Sequence, residues 1–591
     1  MNNSSKHPTV RWTALVILAA GMSYGCKDFL EKAAEPQGTL NESTLQNKTG
    51  VEGSLIAAYR TLDWNNGVGG AWGNAATNWV WGSVTSDDAY KGSEASDQPP
   101  INDIEAYHWS TADAESYLND KWRGAYEGVV RSNATLRLLK QVTAAKPGEI
   151  SAADAAGIEG EALFLRAHYT FEAWRMWGNI PVYKETDTDF RKAGSTATEA
   201  IGEIIKDLDA AIAKLPVASR NGQTGRVNQW TAKAYKGRVL MYAGNYSAAL
   251  TVLREVRTSG PYALETSYDK VWTGFKDLEN GKETVFAYQA SVNDGEPNGN
   301  DANYGERLNF PHGGSTLESC CGFHQPSQNL VNFFAVDAQG LPLALTDPNW
   351  NARNTNLTAA TLIAVDPRLD WTVGRDGVPY KDWGKHADTW IRAPAYGGPY
   401  SPKKNVHEKA SGASSSVGWV PIQLNSVNMH LLRYADVLLL LAEAEVEAGV
   451  VENARTIVNQ IRARAAMTAQ GPGTDRATIA VPLTDPSINW ANYKIGQYAT
   501  PWTNQADART RVRYERRLEL AMEGQRFFDL RRWGIAEATL NTYLAAEKSR
   551  RLYLGGAEAF ATRHRYYPIP AIQIELSKVS GAERLKQNAG W

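Results

Sequence analysis

Glu515–Gly534 reads ERRLELAMEGQRFFDLRRWG. Glu515, Glu519 and Glu523 recur at i, i+4, with Arg516, Arg517 and Arg526 beside them, while Leu518, Ala521 and Met522 fall on another side. The spacing predicts a helix with a charged face laced with ion pairs, solvated or self-paired, and an apolar face turned inward. Acidic residues offset the arginines between Arg511 and Arg532, so the segment offers no basic patch for nucleic acid. The balance holds over the whole chain, which has 591 residues, with Lys+Arg 62 against Asp+Glu 64 and a net charge of −2. A nucleic-acid protein would need a basic footprint against phosphate.

Upstream, the same helical period marks Glu161–Trp177, where Leu163, Ala167, Phe171 and Trp174 share one face and Glu161, His168, Glu172 and Arg175 the other. Residues 232–256 read as two helices broken at Gly244-Asn245, and residues 434–465 as two more broken at Gly449. The two pairs share a register, since the offset from Gly244 to Gly449 also carries Ala249 to Ala454. Gly237, Leu240, Gly244, Ala249, Leu250 and Leu253 stand at tetratricopeptide positions, where small residues let antiparallel helices approach. Tandem spacing is absent, so long insertions interrupt the repeats.

Two stretches have another character. Residues 62–110 carry Trp64, Trp72, Trp79, Trp81, Tyr90, Tyr107 and Trp109 among Gly, Asn, Ser and Asp. Residues 291–421 are dense in proline, which excludes long helices, and carry Trp350, Trp371, Trp383, Trp390 and Trp419. Long aromatic loops in a compact protein are functional more often than disordered. Trp122, Trp174, Trp177 and Trp533 lie in helical segments and are expected in the core.

At the N-terminus, a weakly basic start precedes an apolar run, Trp12 to Met22, too short to span a bilayer and suited to a signal peptide over 1–25. It ends at Ser23-Tyr24-Gly25-Cys26, which resembles a bacterial lipoprotein box with Cys26 as the lipidated residue, although Ser23 stands where Leu is preferred. Three cysteines make no disulfide framework. Adjacent Cys320 and Cys321 read equally as a strained disulfide or as free thiols.

Constellations for catalysis are missing. No phosphate loop, nucleophile elbow or HExxH occurs, and the nine histidines are scattered. Asp87-Asp88 are neighbours and would not naturally face each other across a glycosidic bond. Residues 293–306 (NDGEPNGNDANYGE) offer oxygen ligands that would suit Ca²⁺. Gly305 breaks the EF-hand pattern, however, and a plain turn-rich loop is expected. Neither an enzyme nor a cofactor is expected.

Several segments together resemble the SusD/RagB family of Bacteroidetes surface lipoproteins over essentially the whole chain. They are Cys26-Lys27-Asp28-Phe29-Leu30-Glu31, Ser86-Asp87-Asp88, Trp122–Asn133, Glu161–Pro181, Arg433–Gly449, Glu515–Gly534, Tyr567-Pro568-Ile569-Pro570, and the ending Gln587-Asn588-Ala589-Gly590-Trp591. The resemblance implies a mainly α fold of four tetratricopeptide-type helix pairs with irregular, Trp-rich insertions. Residues 26–591 then form a single unit, with an N-terminal part, 26–290, and a C-terminal part, 291–591. It implies a lipid-anchored, outer-membrane, cell-surface protein that captures an oligosaccharide or polysaccharide and hands it to a SusC-like, TonB-dependent transporter. Peptide uptake and a pure protein–protein adaptor are the alternatives.

Sugars present apolar C–H faces to aromatic rings and hydroxyls to polar groups. The two insertions are therefore expected to converge on one shallow site. Trp72, Trp81, Tyr90 and Trp109 from the first and Tyr304, Trp383 and Trp390 from the second are the candidate stackers, and Asp88 and Asn303 the candidate hydrogen-bonders.

Overall fold

The computed structural model describes residues 45–63, 68–313, 317, 319–468 and 487–591. The signal peptide expected over 1–25, the expected lipidation at Cys26, the Cys26–Glu31 motif and Trp64 lie outside the described residues.

The helix breaks fall where glycine places them. Gln229–Tyr242 and Tyr246–Ser259 form one pair, Tyr434–Glu447 and Val451–Ala466 another. Gly244 (φ 72°) and Gly449 (φ 78°) sit in the left-handed region that glycine enters without steric cost. In each turn the next residue bonds back over the helix end: Asn245 N–H to Leu240 O at 3.0 Å, and Val450 N–H to Glu445 O at 2.8 Å. This satisfies a carbonyl that the helix leaves open. The same closure recurs between Arg526–Arg532 and Ala536–Arg550, with Gly534 at φ 70° and Ile535 N–H on Leu530 O at 3.1 Å. Small residues permit the close approach, since a Cβ on Gly237 would lie 2.4 Å from Leu253 Cδ2.

A fourth pair, Ala112–Ala145 with Ala152–Trp177, begins a continuous file. Each helix packs on the next through Ala197–Lys214, the two glycine-broken pairs and Gln505–Leu520. One apolar core runs along the file from Val51 to Leu585. No helix among the described residues is long and apolar enough to cross a membrane.

Two expectations about polar helix faces are corrected. Ala152–Trp177 is enclosed on all sides from Gly160 onward, so Glu161, His168, Glu172 and Arg175 are buried and find internal partners. Glu161 accepts from Arg220 and Arg226, His168 Nδ1 lies 2.7 Å from the Tyr235 hydroxyl, and Glu172 pairs with Arg175 at 2.6 Å. The Glu515–Glu519–Glu523 stripe is not a solvated face either, because Glu515 and Glu519 are wholly buried. Arg462 and Arg368 each reach Glu515 at 2.8 Å. Arg433 meets Glu519 at 2.7 Å and Glu523 at 2.8 Å, and Lys404 meets Glu523 at 2.6 Å. The stripe is thus the inner seam that fastens the second insertion and Tyr434–Ala466 to one helix. A buried carboxylate is tolerated only when paired in this way.

The described residues of the insertions form regular elements as well. The first makes a π-helical turn, Trp79–Val84, and a strand, Ala89–Gly92. That strand pairs antiparallel with Phe323–Pro326 of the second insertion, Tyr90 opposite Gln325. Gly82 lets the π turn rest on the Glu523–Gln525 loop, because a Cβ there would meet the Gly524 carbonyl at 1.8 Å.

Candidate functional site

The first insertion is anchored by its two aspartates. Arg526 grips Asp87 with both arms, at 2.7 and 2.9 Å. Arg517 lies between the pair, 3.1 Å from Asp87 and 3.0 Å from Asp88. Burial would raise the Asp87 carboxyl, but Arg517 and Arg526 outweigh it and hold it at about 2. Asp88 goes the other way: burial raises it, Arg517 opposes, and the charge of Asp87 adds to the rise. The adjacent acids therefore serve arginines of the helical scaffold and do not face each other across an opening.

From this anchor the chain leads back to Asp63, which ties the insertions together at their base. Its carboxylate accepts from Ala76 N–H at 2.9 Å and from Gly305 N–H at 3.0 Å. Trp79 Nε1 adds a bond to the Gly305 carbonyl at 3.1 Å. Gly305 must be small, since a Cβ would lie 2.6 Å from both Ala75 Cα and Asp63 Oδ1. On the far side, Asn303 exchanges bonds with Asn425, and Glu306 accepts from Thr77, Asn309 and Asn405. Burial pushes the Glu306 carboxyl up to about 7, with the charge of Asp63 adding to the effect.

Clamped on both sides, the Tyr304–Glu306 turn presents Tyr304 beside Trp72. The two rings lie parallel within 4°, centroids 6.1 Å apart. The Arg307 guanidinium sits 4.3 Å from the Tyr304 ring, 5.1 Å from Trp72 and 4.6 Å from Trp419. Trp72, Tyr304 and Arg307 are half-buried, and Trp419 is 52% exposed. Residues from both insertions thus make one shallow aromatic platform centred on a cation.

Of the nine candidates, Trp72 and Tyr304 are brought together at this surface. The other seven are buried, which corrects their placement as surface groups. Trp81 Nε1 donates to Gly73 O at 2.8 Å, and its ring meets Tyr567 edge-on. Tyr90 donates to Glu547 and accepts from Gln328 N–H. Trp109 donates to Ile104 O at 2.9 Å and packs 4.1 Å from Tyr567. Trp383 and Trp390 fill a satellite core with Phe310 and Tyr380, Trp383 donating to His407 O at 2.8 Å. Asp88 is paired with Arg517, and the Asn303 carbonyl oxygen is held by Asn425 N–H. The indoles of Trp81, Trp109 and Trp383 and the phenol of Tyr90 follow the usual rule that a buried N–H or O–H finds an internal acceptor. Trp122, Trp174 and Trp177 are core as expected, and Trp533 is half-buried against it. Trp419 and Arg307 escaped sequence reasoning. Trp419 stood among the tryptophans of the second insertion, but nothing local marked it as exposed.

The oxygen-rich loop spends its side chains on turns. Asp294 and Glu296 accept backbone N–H groups within the loop, and Asp301 is paired with Arg60 at 3.0 Å. Among the described residues no three His, Cys, Asp or Glu side chains converge as metal ligands. Cys320 and Cys321 are joined in a disulfide.

Comparison with known proteins agrees with this architecture. The model of the SusD family matches residues 282–591, and that of a family described as starch-binding associating with outer membrane matches residues 64–241. The chain is 24% identical over 546 residues to SusD-like protein P38 of Formosa agariphila, covering 89% of this chain and 91% of the relative. Among solved structures, a laminarin-binding SusD-like protein superposes with a TM-score of 0.64 at 21% identity, covering 92% of this chain and all of the other. The surface glycan-binding protein A of Bacteroides thetaiotaomicron in complex with laminarihexaose gives 0.59 at 19% identity, covering 92% and 99%. The fold is mainly α and SusD-like, and the chain belongs to the SusD family.

Proposed function

We propose that the protein is a cell-surface binding lipoprotein, anchored through Cys26, that captures a nutrient glycan on the Trp72–Tyr304–Trp419 platform and passes it to a SusC-like, TonB-dependent transporter. It binds its ligand without converting it. The observation that carries this reading is the platform itself: half-exposed rings from two separate insertions, locked in place by Asp63 and the Asn303–Asn425 clamp. Parallel rings suit the apolar faces of successive sugar units, and a rigid base keeps the ordering cost of binding low. The laminarin and laminarihexaose of the two solved relatives support a saccharide over a peptide.

The test is affinity electrophoresis of a non-lipidated Cys26→Ser form against a polysaccharide panel, beside Trp72→Ala and Trp419→Ala variants. Retardation by one polymer that both variants lose supports the reading. Undiminished retardation in both variants places the site elsewhere, and no retardation by any polymer removes the glycan reading.

A further inference from the structure

We propose that the platform selects anionic saccharides, with Arg307 as the group that meets a uronate carboxylate or a sulfate ester. The proposal rests on the glycan reading above and adds the charge class of the ligand.

Most of the deeply buried arginines of this molecule are matched by carboxylates, as Arg368 is by Asp366, Arg375 by Asp370, Arg433 by Glu283 and Arg516 by Asp529; Arg238 instead donates to the Leu431 carbonyl and Gln525, and Arg551 to the Arg550 carbonyl. Arg307 is half-buried, yet no carboxylate among the described residues pairs with it. The acids nearest in sequence are committed elsewhere. Glu306 turns inward to Thr77 and Asn309, Asp301 is held by Arg60, and Asp63 spends both oxygens on backbone N–H groups. Arg307 Nε is buried without a hydrogen-bond partner. Burial also lowers the pKa of the guanidinium, opposed by the neighbouring Tyr304. An incompletely compensated cation is costly to keep in a folded chain.

What surrounds Arg307 points the same way. Three rings lie within 5.1 Å of the guanidinium and stabilise it by cation–π attraction. A guanidinium carries five N–H donors in a planar fork, and two-oxygen anions fit that fork bidentately. A neutral sugar hydroxyl can use such a donor, but a carboxylate or sulfate gains a charge-assisted bond about twice as strong. The rings that would stack on the sugar are the same rings that hold the cation, so one saccharide unit can engage both.

The test uses matched pairs that differ only in charge: polygalacturonate against its methyl-esterified form, and dextran sulfate against dextran. Binding to the Cys26→Ser form is measured at low and high salt for wild type, Arg307→Gln, Arg307→Lys and Trp72→Ala, with circular dichroism melts to confirm folding. The expected result is tighter binding of the charged member of at least one pair by about tenfold or more, weakened by salt. Arg307→Gln should erase the discrimination between charged and neutral members, and Arg307→Lys should keep part of it. Trp72→Ala should weaken both members. A carboxylate-only or sulfate-only preference identifies the anion. Preference for the neutral members, or discrimination that survives Arg307→Gln, overturns the proposal and leaves glycan capture standing. Equal binding of both members of each pair, or binding of none of the four polymers, overturns the proposal, and glycan capture falls with it only if the wider polysaccharide panel also gives no retardation.

Discussion

Replacing Asp87 by Asn should unfasten the first insertion from the scaffold, and the size of the effect follows from the geometry. The carboxylate is 2% exposed and meets Arg526 at 2.7 and 2.9 Å and Arg517 at 3.1 Å. Its pKa is held at about 2 against an ordinary 3.8. At about 1.4 kcal/mol per pH unit, that difference alone is worth about 2 kcal/mol of stability at neutral pH. The amide also takes from Arg526 the carboxylate that grips it and leaves Arg517 with Asp88 alone, and breaking a buried pair from one side costs about 3–5 kcal/mol. We expect Asp87→Asn to lose about 3–5 kcal/mol at pH 7 by urea unfolding. Because the folded-state pKa is depressed, the contribution is complete above about pH 4 and fades as the pH falls toward 2. The gap between wild type and variant should therefore close across that window. A loss below about 0.5 kcal/mol at pH 7, or a gap that stays constant down to pH 2, would refute the reasoning.

Other substitutions separate buried from exposed contributions. Arg462→Ala strips Glu515 of a wholly buried partner and should cost about 3–5 kcal/mol, whereas Arg563→Ala, whose pair with Glu558 is 39% exposed on each side, should cost less than about 1 kcal/mol in the same unfolding assay. Gly449→Ala meets open space but keeps a left-handed backbone, so about 1–2 kcal/mol is expected; Gly82→Ala drives a Cβ into the Gly524 carbonyl and should sharply lower the yield of folded protein. Trp383→Ala and Trp109→Ala empty core positions and should each cost about 3–5 kcal/mol while the folded fraction keeps its glycan affinity. Trp419→Ala should do the reverse, losing affinity in titrations with little change in melting temperature.

Much of the scaffold was legible in the chain because its signals are local. Apolar recurrence at 3.6 residues, a left-handed glycine after the last turn and an alanine opposite the next helix all act within a few residues, so the breaks at Gly244 and Gly449 could be read directly. Gly534 closes a third turn of the same kind and ends the very segment on which the family resemblance rests most heavily. Its helix is short, Arg526–Arg532, and seven residues carry too little period to stand out.

Charge and exposure were decided elsewhere. The Glu515–Glu519–Glu523 stripe has the pattern of a solvated face, and only the arrival of Arg368, Arg433, Arg462 and Lys404 from distant segments makes it an interior seam. Trp72 and Trp81 lie nine positions apart in loops of similar composition, yet one forms the surface platform and the other packs against Tyr567. The chain by itself determined the helical periods, the turn positions and the presence of two aromatic insertions, because sterics and hydrogen bonding over a few residues set them. Tertiary structure alone decided which rings are covered and which cation is left uncovered. Burial depends on what the rest of the chain lays over a residue, and no local pattern records that.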